Sequence, residues 1–360
     1  MESTQSVAVT TAAIRPPSTP ASGPRILTHS AMEAWGRCER EYEISYEQMI
    51  SPTDYPSALA IGSGFHAGAE LLHRGRPLHE ALKAAEEQIE RFELRACPHL
   101  DADGLAALAE SVPRDRARVR AMLAAWYERH FIPNNGDAVR IDRDLDVIET
   151  ELVVEAPLVN PVTHRASKTF MLSGRIDGIV RHRDEKHRFS PSDGSEGWFV
   201  YELKSTGEDL DTFSEAMRFS SQPALYQVLA EMHFGEEIGP LLGSIIDILG
   251  KPRIRSKKNE SAVDFEARAV EEYRAEPERF FKRIVLPVDV TAKNDTLLGA
   301  WRVAQGIRTA EKHGYLGKKG PACRGPFGPC RFQRLCWYDS RSGYTQKETA
   351  HTELVPASAS

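Results

Sequence analysis

Between Gly174 and Ser205 the chain reads G-R-I-D-G-I-V-R-H-R, then a polar loop, then W-F-V-Y-E-L-K-S. Two apolar runs flanking a turn rich in Ser, Asp and Gly (Ser190 to Gly197) carry the signature of a β-hairpin. In the second run Phe199, Tyr201 and Leu203 alternate with Val200, Glu202 and Lys204. Side chains repeat every two residues along a strand, so Glu202 and Lys204 share a face. Pairing of the two runs brings Asp177 beside them. Two carboxylates and an amine then meet on a half-buried sheet surface, where charge is costly unless it is paired or bound to a metal.

That grouping suits metal-dependent hydrolysis of a phosphodiester. Asp177 and Glu202 offer hard oxygen ligands for Mg²⁺ or Mn²⁺. Lys204 would orient the attacking water or offset charge developing on the phosphate. Taken alone, the three residues fit an edge hairpin with an exposed salt bridge equally well.

The chain of 360 residues suffices for one large domain or two ordinary ones. Its 41% hydrophobic and 27% charged content is that of a globular protein in water. No apolar run approaches the length needed to span a bilayer. The N-terminal residues lack the charged-then-apolar pattern of a signal peptide, so a cytoplasmic setting is expected, with five cysteines serving as ligands or core residues rather than disulfides. The net charge of −6 does not suit a non-specific DNA coat. Charge is uneven, however: residues 301 to 338 hold eight Lys or Arg against the single acid Glu311, and Lys251 to Lys258 adds five more. Such patches can guide a polyanion, or simply be solvated surface.

Residues 1–24 are rich in Ser, Thr, Ala and Pro, and the segment 340–360 is similar, so both are expected to be disordered tails. The body between them, 25–339, is expected to be one domain. Helical periodicity predicts helices over Ser30 to Ile50, opened by a capping box, and over Ala58 to Gly75, Leu78 to Cys97 and Arg114 to His130. Strands are expected at Val147 to Ala156, Lys168 to His182, Trp198 to Ser205 and Gly243 to Leu249. Thr212 to Phe234 (with Thr212 to Ser220 a separate turn or short helix if Pro223 lies near a first turn), Asp264 to Arg283 (broken or kinked at Pro277) and Thr291 to His313 read as helices. The body thus divides into a helical part (25–140), a sheet core (145–255) and a second helical part with a cysteine loop (260–339), an α/β architecture with helical additions at both ends.

Three further groups carry chemistry. Gln222 and Tyr226 are four apart on the helix after the E-L-K strand, hence on one face, where an amide and a phenol suit phosphate or the lysine. A capping Gln and a half-buried Tyr are the plainer account. His66, in I-G-S-G-F-H, is either a packed core residue or a nitrogen ligand favouring Mn²⁺. Cys323, Cys330 and Cys336 form C-x6-C-x5-C in a Gly/Pro-rich loop and need a fourth ligand; Cys38 is a better candidate than Cys97, which precedes a proline at a helix end. Four thiolates can hold zinc or an iron–sulfur cluster, and the wide spacings favour the cluster.

In order along the chain stand S-x-x-x-x-W-x-x-C, G-x-x-x-H, G-R-I-D, Y-E-L-K, Q-x-x-x-Y and C-x6-C-x5-C. This series resembles the RecB-type, iron–sulfur branch of the PD-(D/E)xK nuclease superfamily, which includes the AddB nuclease domain and the exonucleases of CRISPR adaptation. The resemblance spans about 30 to 338. It implies a restriction-endonuclease-like mixed sheet flanked by helices, with the terminal additions closed by one [4Fe–4S] cluster on Cys38, Cys323, Cys330 and Cys336. It further implies Mg²⁺ or Mn²⁺ on His66, Asp177 and Glu202, catalysis by Asp177, Glu202 and Lys204, and DNA contacts from Gln222 and Tyr226. The family often has proline after the leading cysteine, whereas Glu39 stands here. No G-x-x-x-x-G-K-[ST] phosphate loop occurs, so any helicase or recombination partner is expected in trans. The function implied is a metal-dependent DNA exonuclease acting on single strands or ends in recombination, repair or phage-type DNA processing. The alternative is a non-catalytic nucleic-acid-binding or complex-organising iron–sulfur protein of the same fold.

Overall fold

The computed structural model describes residues 23–133, 140–182, 197–235, 237–314, 316–325 and 328–355. The expected N-terminal tail up to residue 22 and the hairpin turn at 190–196 lie outside them. The frame is a six-stranded mixed sheet between two helical layers. Its elements in chain order are β1 (Arg25–Leu27), α1 (His29–Arg37), α2 (Ser57–His73), α3 (Leu78–Ala96), α4 (Ala102–His130), β2 (Leu145–Val159), β3 (Ala166–His182), β4 (Trp198–Thr206), α5 (Leu210–Phe219), α6 (Ser221–Phe234), β5 (Leu241–Gly250), α7 (Ala262–Ala275), β6 (Phe281–Pro287), α8 (Val290–His313) and α9 (Gln333–Tyr338). The sheet runs β1-β3-β4-β5-β6, with β2 along the other edge of β3. The pairs β1–β3 and β4–β5 are parallel and the rest antiparallel.

The alternation in β4 distributes the core as its sequence requires. Phe199, Tyr201 and Leu203 pack under α2, α3 and α4, whereas Trp198 and Val200 face α1, α6 and α8. Each buried large apolar side chain contributes roughly 1.5–3 kcal/mol, so β4 is clamped from both sides. Beneath it Asp247 accepts from Tyr201 Oη at 3.0 Å and from Arg283 Nε and Nη2 at 2.6 Å each, bracing β4, β5 and β6.

Long strand β3 positions the chemistry because its second edge is shared. Residues 170–172 pair with β1 and 178–180 pair with β4. Between these stretches, at Ser173–Asp177, the sheet splits. Gly174 lies in the gap, and a Cβ there would stand 2.7 Å from the Tyr226 ring. Glycine therefore lets the ring of α6 lie against the strand.

Several expected boundaries are corrected. The helix expected over Ser30 to Ile50 starts after an N-cap at Thr28 and stops at Cys38, whose φ of −163° is extended; a short helix (Glu39–Tyr42) and a π-turn (Glu43–Glu47) follow. Helix α4 begins at the Asp101 cap, well before Arg114, and runs through Pro113 because Leu108 and Val112 are held in the core on its N-terminal side. A proline there removes one backbone bond, which the packing outweighs. The run Thr212 to Phe234 is two helices divided at Ser220, whose side chain caps α6, as Pro223 near a first turn requires. The helix expected to reach Arg283 ends at Ala275, and Phe281–Pro287 instead forms edge strand β6 on β5. A short apolar run after a proline has no periodicity that separates helix from strand.

The C-terminal tail expected from residue 340 is also corrected. Tyr344–Gln346 pairs antiparallel with Ile50–Pro52, Thr28 Oγ1 donates to Glu353 Oε1 at 2.6 Å, and Arg175 Nη1 donates to the Val355 carbonyl at 2.6 Å. Tyr344 also packs on the small cluster of Ile44, Ile50 and Phe332, so hydrogen bonds and an apolar contact together order this segment. Among the described residues no helix is long and apolar enough to cross a membrane.

Candidate active site

Asp177 stands where the β3–β4 ladder ends. The last pair in that direction is Gly178 with Tyr201, and beyond it Asp177 Oδ2 accepts from the Leu203 backbone N–H at 2.8 Å. The other oxygen lies 3.5 Å from His66 Nδ1, presented by α2. The close approach of α2 to its layer depends on Gly68, where a Cβ would stand 2.4 Å from the Leu123 side chain.

On β4, Glu202 and Lys204 do share a face, and Lys204 Nζ donates to Glu202 Oε1. The same oxygen accepts from Gln222 Nε2 at 3.2 Å, and Gln222 Nε2 lies 3.0 Å from Tyr226 Oη, toward which it donates. Gln222 and Tyr226 therefore reach the carboxylate from one face of α6. Glu202 Oε2 is buried and has no hydrogen-bond partner. A buried acceptor without a donor is costly, and a cation is one remedy.

The electrostatics point the same way. Burial alone would raise the Asp177 carboxyl, but His66, Lys204 and the Leu203 N–H outweigh it and hold it at about 2. Burial first, then the Asp177 charge, pushes Glu202 up to about 8. Lys204 is raised: its burial acts against the charge, and Glu202 and Asp177 more than offset that. The site carries more carboxyls than its fixed cations can keep ionised, and a divalent ion reverses such a balance.

Two acids here were missed in the sequence. Glu151 on β2 is pushed up to about 8 by burial and then by Asp177, and Glu70, one helical turn beyond His66, is raised by burial. His66, Glu151 and Asp177 each offer a ligand atom, all within 4.8 Å of one another; Glu202, expected as the third ligand, lies beside them but outside that group. No local motif marks Glu151; it lies in the strand run E-T-E-L-V-V-E, and only the register with β3 brings it to the site. Glu70 had a signal, its four-residue spacing from His66.

A cleft of about 530 Å³ adjoins the site, lined by His29, Glu33, Phe219, Ser220 and Ala224 among others. His29 and Glu33 lie near enough to exchange electrostatic influence with Lys204. Phe219 is 83% exposed at its rim.

The cysteines form a separate region. Cys38 is buried at the C-cap of α1, and its Sγ lies 3.8 Å from the Gly317 carbonyl, toward which it donates. Glu39, standing where the family often has proline, accepts from the Gly317 N–H at 2.8 Å, so it ties the last segment to the first. Trp337 Nε1 donates to Cys323 Sγ at 3.1 Å. Burial pushes the Cys330 and Cys336 thiols up, and both feel Cys38 and Cys323. The four sulfurs do not form a tight ligand set: among the described residues the group with donors mutually within 4.8 Å is the His66 trio. Hydrogen bonds from Cys38 and to Glu39 at Gly317 join the two ends of the body here. Cys97 lies apart, in the turn after α3. Part of the basic run here is engaged by backbone, Lys318 with the Cys336 carbonyl and Lys319 with that of Gly36.

No curated protein matches the chain. A family model described as the PD-(D/E)XK nuclease superfamily matches residues 26–336. That match covers the sheet, both helical layers and every site residue described above. The chain belongs to the PD-(D/E)XK nuclease superfamily.

Proposed function

We propose that this chain is a Mg²⁺- or Mn²⁺-dependent DNA exonuclease acting on single strands or DNA ends, in recombination, repair or phage-type DNA processing. The observation that carries the reading is the convergence of His66, Asp177, Glu202 and Lys204 at the split in the sheet, with Glu202 Oε2 buried and unpartnered. His66, Asp177 and Glu202 would hold the cation, which supplies Lewis acidity and lowers the pKa of water. One imidazole among carboxylates suits Mn²⁺ as well as Mg²⁺.

The residues divide the remaining work. Lys204 Nζ, held by Glu202, is placed to donate to a non-bridging phosphate oxygen and offset its developing charge. Gln222 and Tyr226 set the position of Glu202 and present an amide and a phenol to the backbone of the strand. Phe219, exposed at the rim of the adjoining cleft, offers a stacking surface for an unpaired base. A rigid duplex offers no such base, which supports single strands or frayed ends as substrate.

The C-x6-C-x5-C spacing of Cys323, Cys330 and Cys336, wider than zinc sites use, supports reading these residues with Cys38 as ligands of an iron–sulfur cluster. Its role would be to clasp the ends of the body.

The test compares 5′- and 3′-end-labelled single-stranded, blunt and frayed DNA, each with Mn²⁺, Mg²⁺ or EDTA. Stepwise loss of nucleotides from single strands or frayed ends, abolished by EDTA, is the expected result. Binding without cleavage under every metal condition would overturn it.

A further inference from the structure

Across the antiparallel pair β2–β3, Thr150 faces Gly178 and Leu152 faces Ile176, so the register places Glu151 opposite Asp177. Like charges directly across a strand pair destabilise a sheet, and both side chains are largely buried, at 5% and 11% exposed. Glu151 also holds a φ of 52°, the left-handed region that a side chain rarely occupies. Backbone strain of this kind gathers at ligand sites and is sustained by the structure around it. Arg175 relieves only part of the conflict. Its Nε lies 3.0 Å from Glu151 Oε2 but out of line for a hydrogen bond, while its Nη1 is committed to the Val355 carbonyl. Close by, Glu202 Oε2 has no partner at all.

We propose that Glu151 is a direct ligand of the cation, alongside His66, Asp177 and Glu202; this rests on reading the site as a metal centre. Donors on one divalent ion at about 2.1–2.6 Å can lie no more than about 4.2–5.2 Å apart. The His66, Glu151 and Asp177 donors, mutually within 4.8 Å, meet that requirement. The left-handed turn at Glu151 then has a function, since it directs the carboxylate into the split rather than along the strand. Arg175 is a positioning residue, steadying Glu151 beside Asp177 and coupling the site to the C-terminal segment through Val355.

The experiment measures Mn²⁺ binding by calorimetry, and melting with and without Mn²⁺, for the full chain, Glu151→Gln and Asp177→Asn. If Glu151 is a ligand, Glu151→Gln weakens Mn²⁺ binding at least about tenfold. It also melts at the same or a higher temperature than wild type without metal, because the amide replaces a carboxyl whose ionisation burial beside Asp177 disfavours, and at a lower one with Mn²⁺. Glu151→Asp, which keeps the charge on a shorter arm, recovers part of the binding. Lower melting under both conditions with unchanged Mn²⁺ binding would show Glu151 to be only a partner for Arg175 and would overturn the inference. In that case loss of binding in Asp177→Asn shows that the metal centre itself stands. Undiminished binding in both variants overturns the inference and the metal centre together.

Discussion

Asp177 Oδ2 takes the Leu203 backbone N–H at 2.8 Å at the point where the β3–β4 ladder stops, so a side chain completes the sheet's hydrogen bonding. One carboxylate oxygen is thereby fixed by the backbone and the other is left facing His66. Orientation of a ligand by such a neighbouring donor is how metal sites are held before the metal arrives.

The raised carboxyls make the metal-free protein sensitive to pH. Glu151 and Glu202 sit at about 8 in the fold, against about 4.3 for an unfolded glutamate. The folded state therefore binds protons more tightly, and this contribution is complete below pH of about 4.3 and lost as pH rises toward 8. Asp177, at about 2, acts in the opposite sense and only at lower pH. In EDTA the melting temperature should fall between pH 5 and 8, and Mn²⁺ should raise it more at pH 8 than at pH 5. Calorimetric melts across that range test this; equal gains at both ends would contradict it.

Gly174→Ala should cost about 1–3 kcal/mol of stability through overpacking, because the new methyl meets the Tyr226 ring at 2.7 Å. Turnover should fall as well, since Tyr226 moves with Gln222 and hence with Glu202. Tyr226→Ala made together with Gly174→Ala should recover part of the lost stability without recovering turnover. Urea titration of the three variants reads this out.

Much of this arrangement was legible before the fold. Alternation in β4 placed Glu202 and Lys204 together and Tyr201 behind them, and four-residue spacing placed Gln222 with Tyr226. These are local periodicities. Glu151 was not legible because its meeting with Asp177 depends on cross-strand register, which is set by bulges in β2. The break at Cys38 was hidden by helical spacing that continues across it, and strand β6 by the lack of any helix-or-strand signal in a short run after Pro277. The C-terminal segment reads as tail because it carries few apolar residues; its order comes from partners such as Thr28 and Arg175, far away in the chain.

Thr28 does two things at once. Its side chain caps α1 by accepting from the Ala31 N–H at 3.1 Å, and it donates to Glu353. Thr28→Ala should cost about 1–2 kcal/mol, near the upper end for a cap, and should make the residues after 340 more open to protease. A variant ending at 339 should lose stability as well, and Thr28→Ala in that background should cost less than in the full chain. Full additivity of the two changes would show that they do not act through one contact.

Purified without oxygen, the protein should be brown and hold about four irons per chain, the content of one [4Fe–4S] cluster. Cys330→Ser or Cys336→Ser should bleach it and promote aggregation, because a clasp between distant segments is coupled to folding. Cys97→Ser should do neither, as that residue packs on the core beneath α2, α3 and α4, whereas Cys330 and Cys336 pack on the separate cluster of Ile44, Ile50 and Phe332. Stoichiometric zinc without iron would refute the cluster, and colour lost in Cys97→Ser but kept in Cys38→Ser would refute the choice of ligand.

The account rests on His66, Asp177, Glu202 and Lys204 acting as one catalytic unit, and single-turnover cleavage of end-labelled single-stranded DNA in Mn²⁺ tests that most directly. Asp177→Ala, Glu202→Ala and Lys204→Ala should each lower the rate by roughly a thousandfold or more, with DNA binding kept, and a double variant should be little worse than a single one, as for groups that act together. Near-normal cleavage by Glu202→Ala, in a protein that melts as the wild type does, would contradict it.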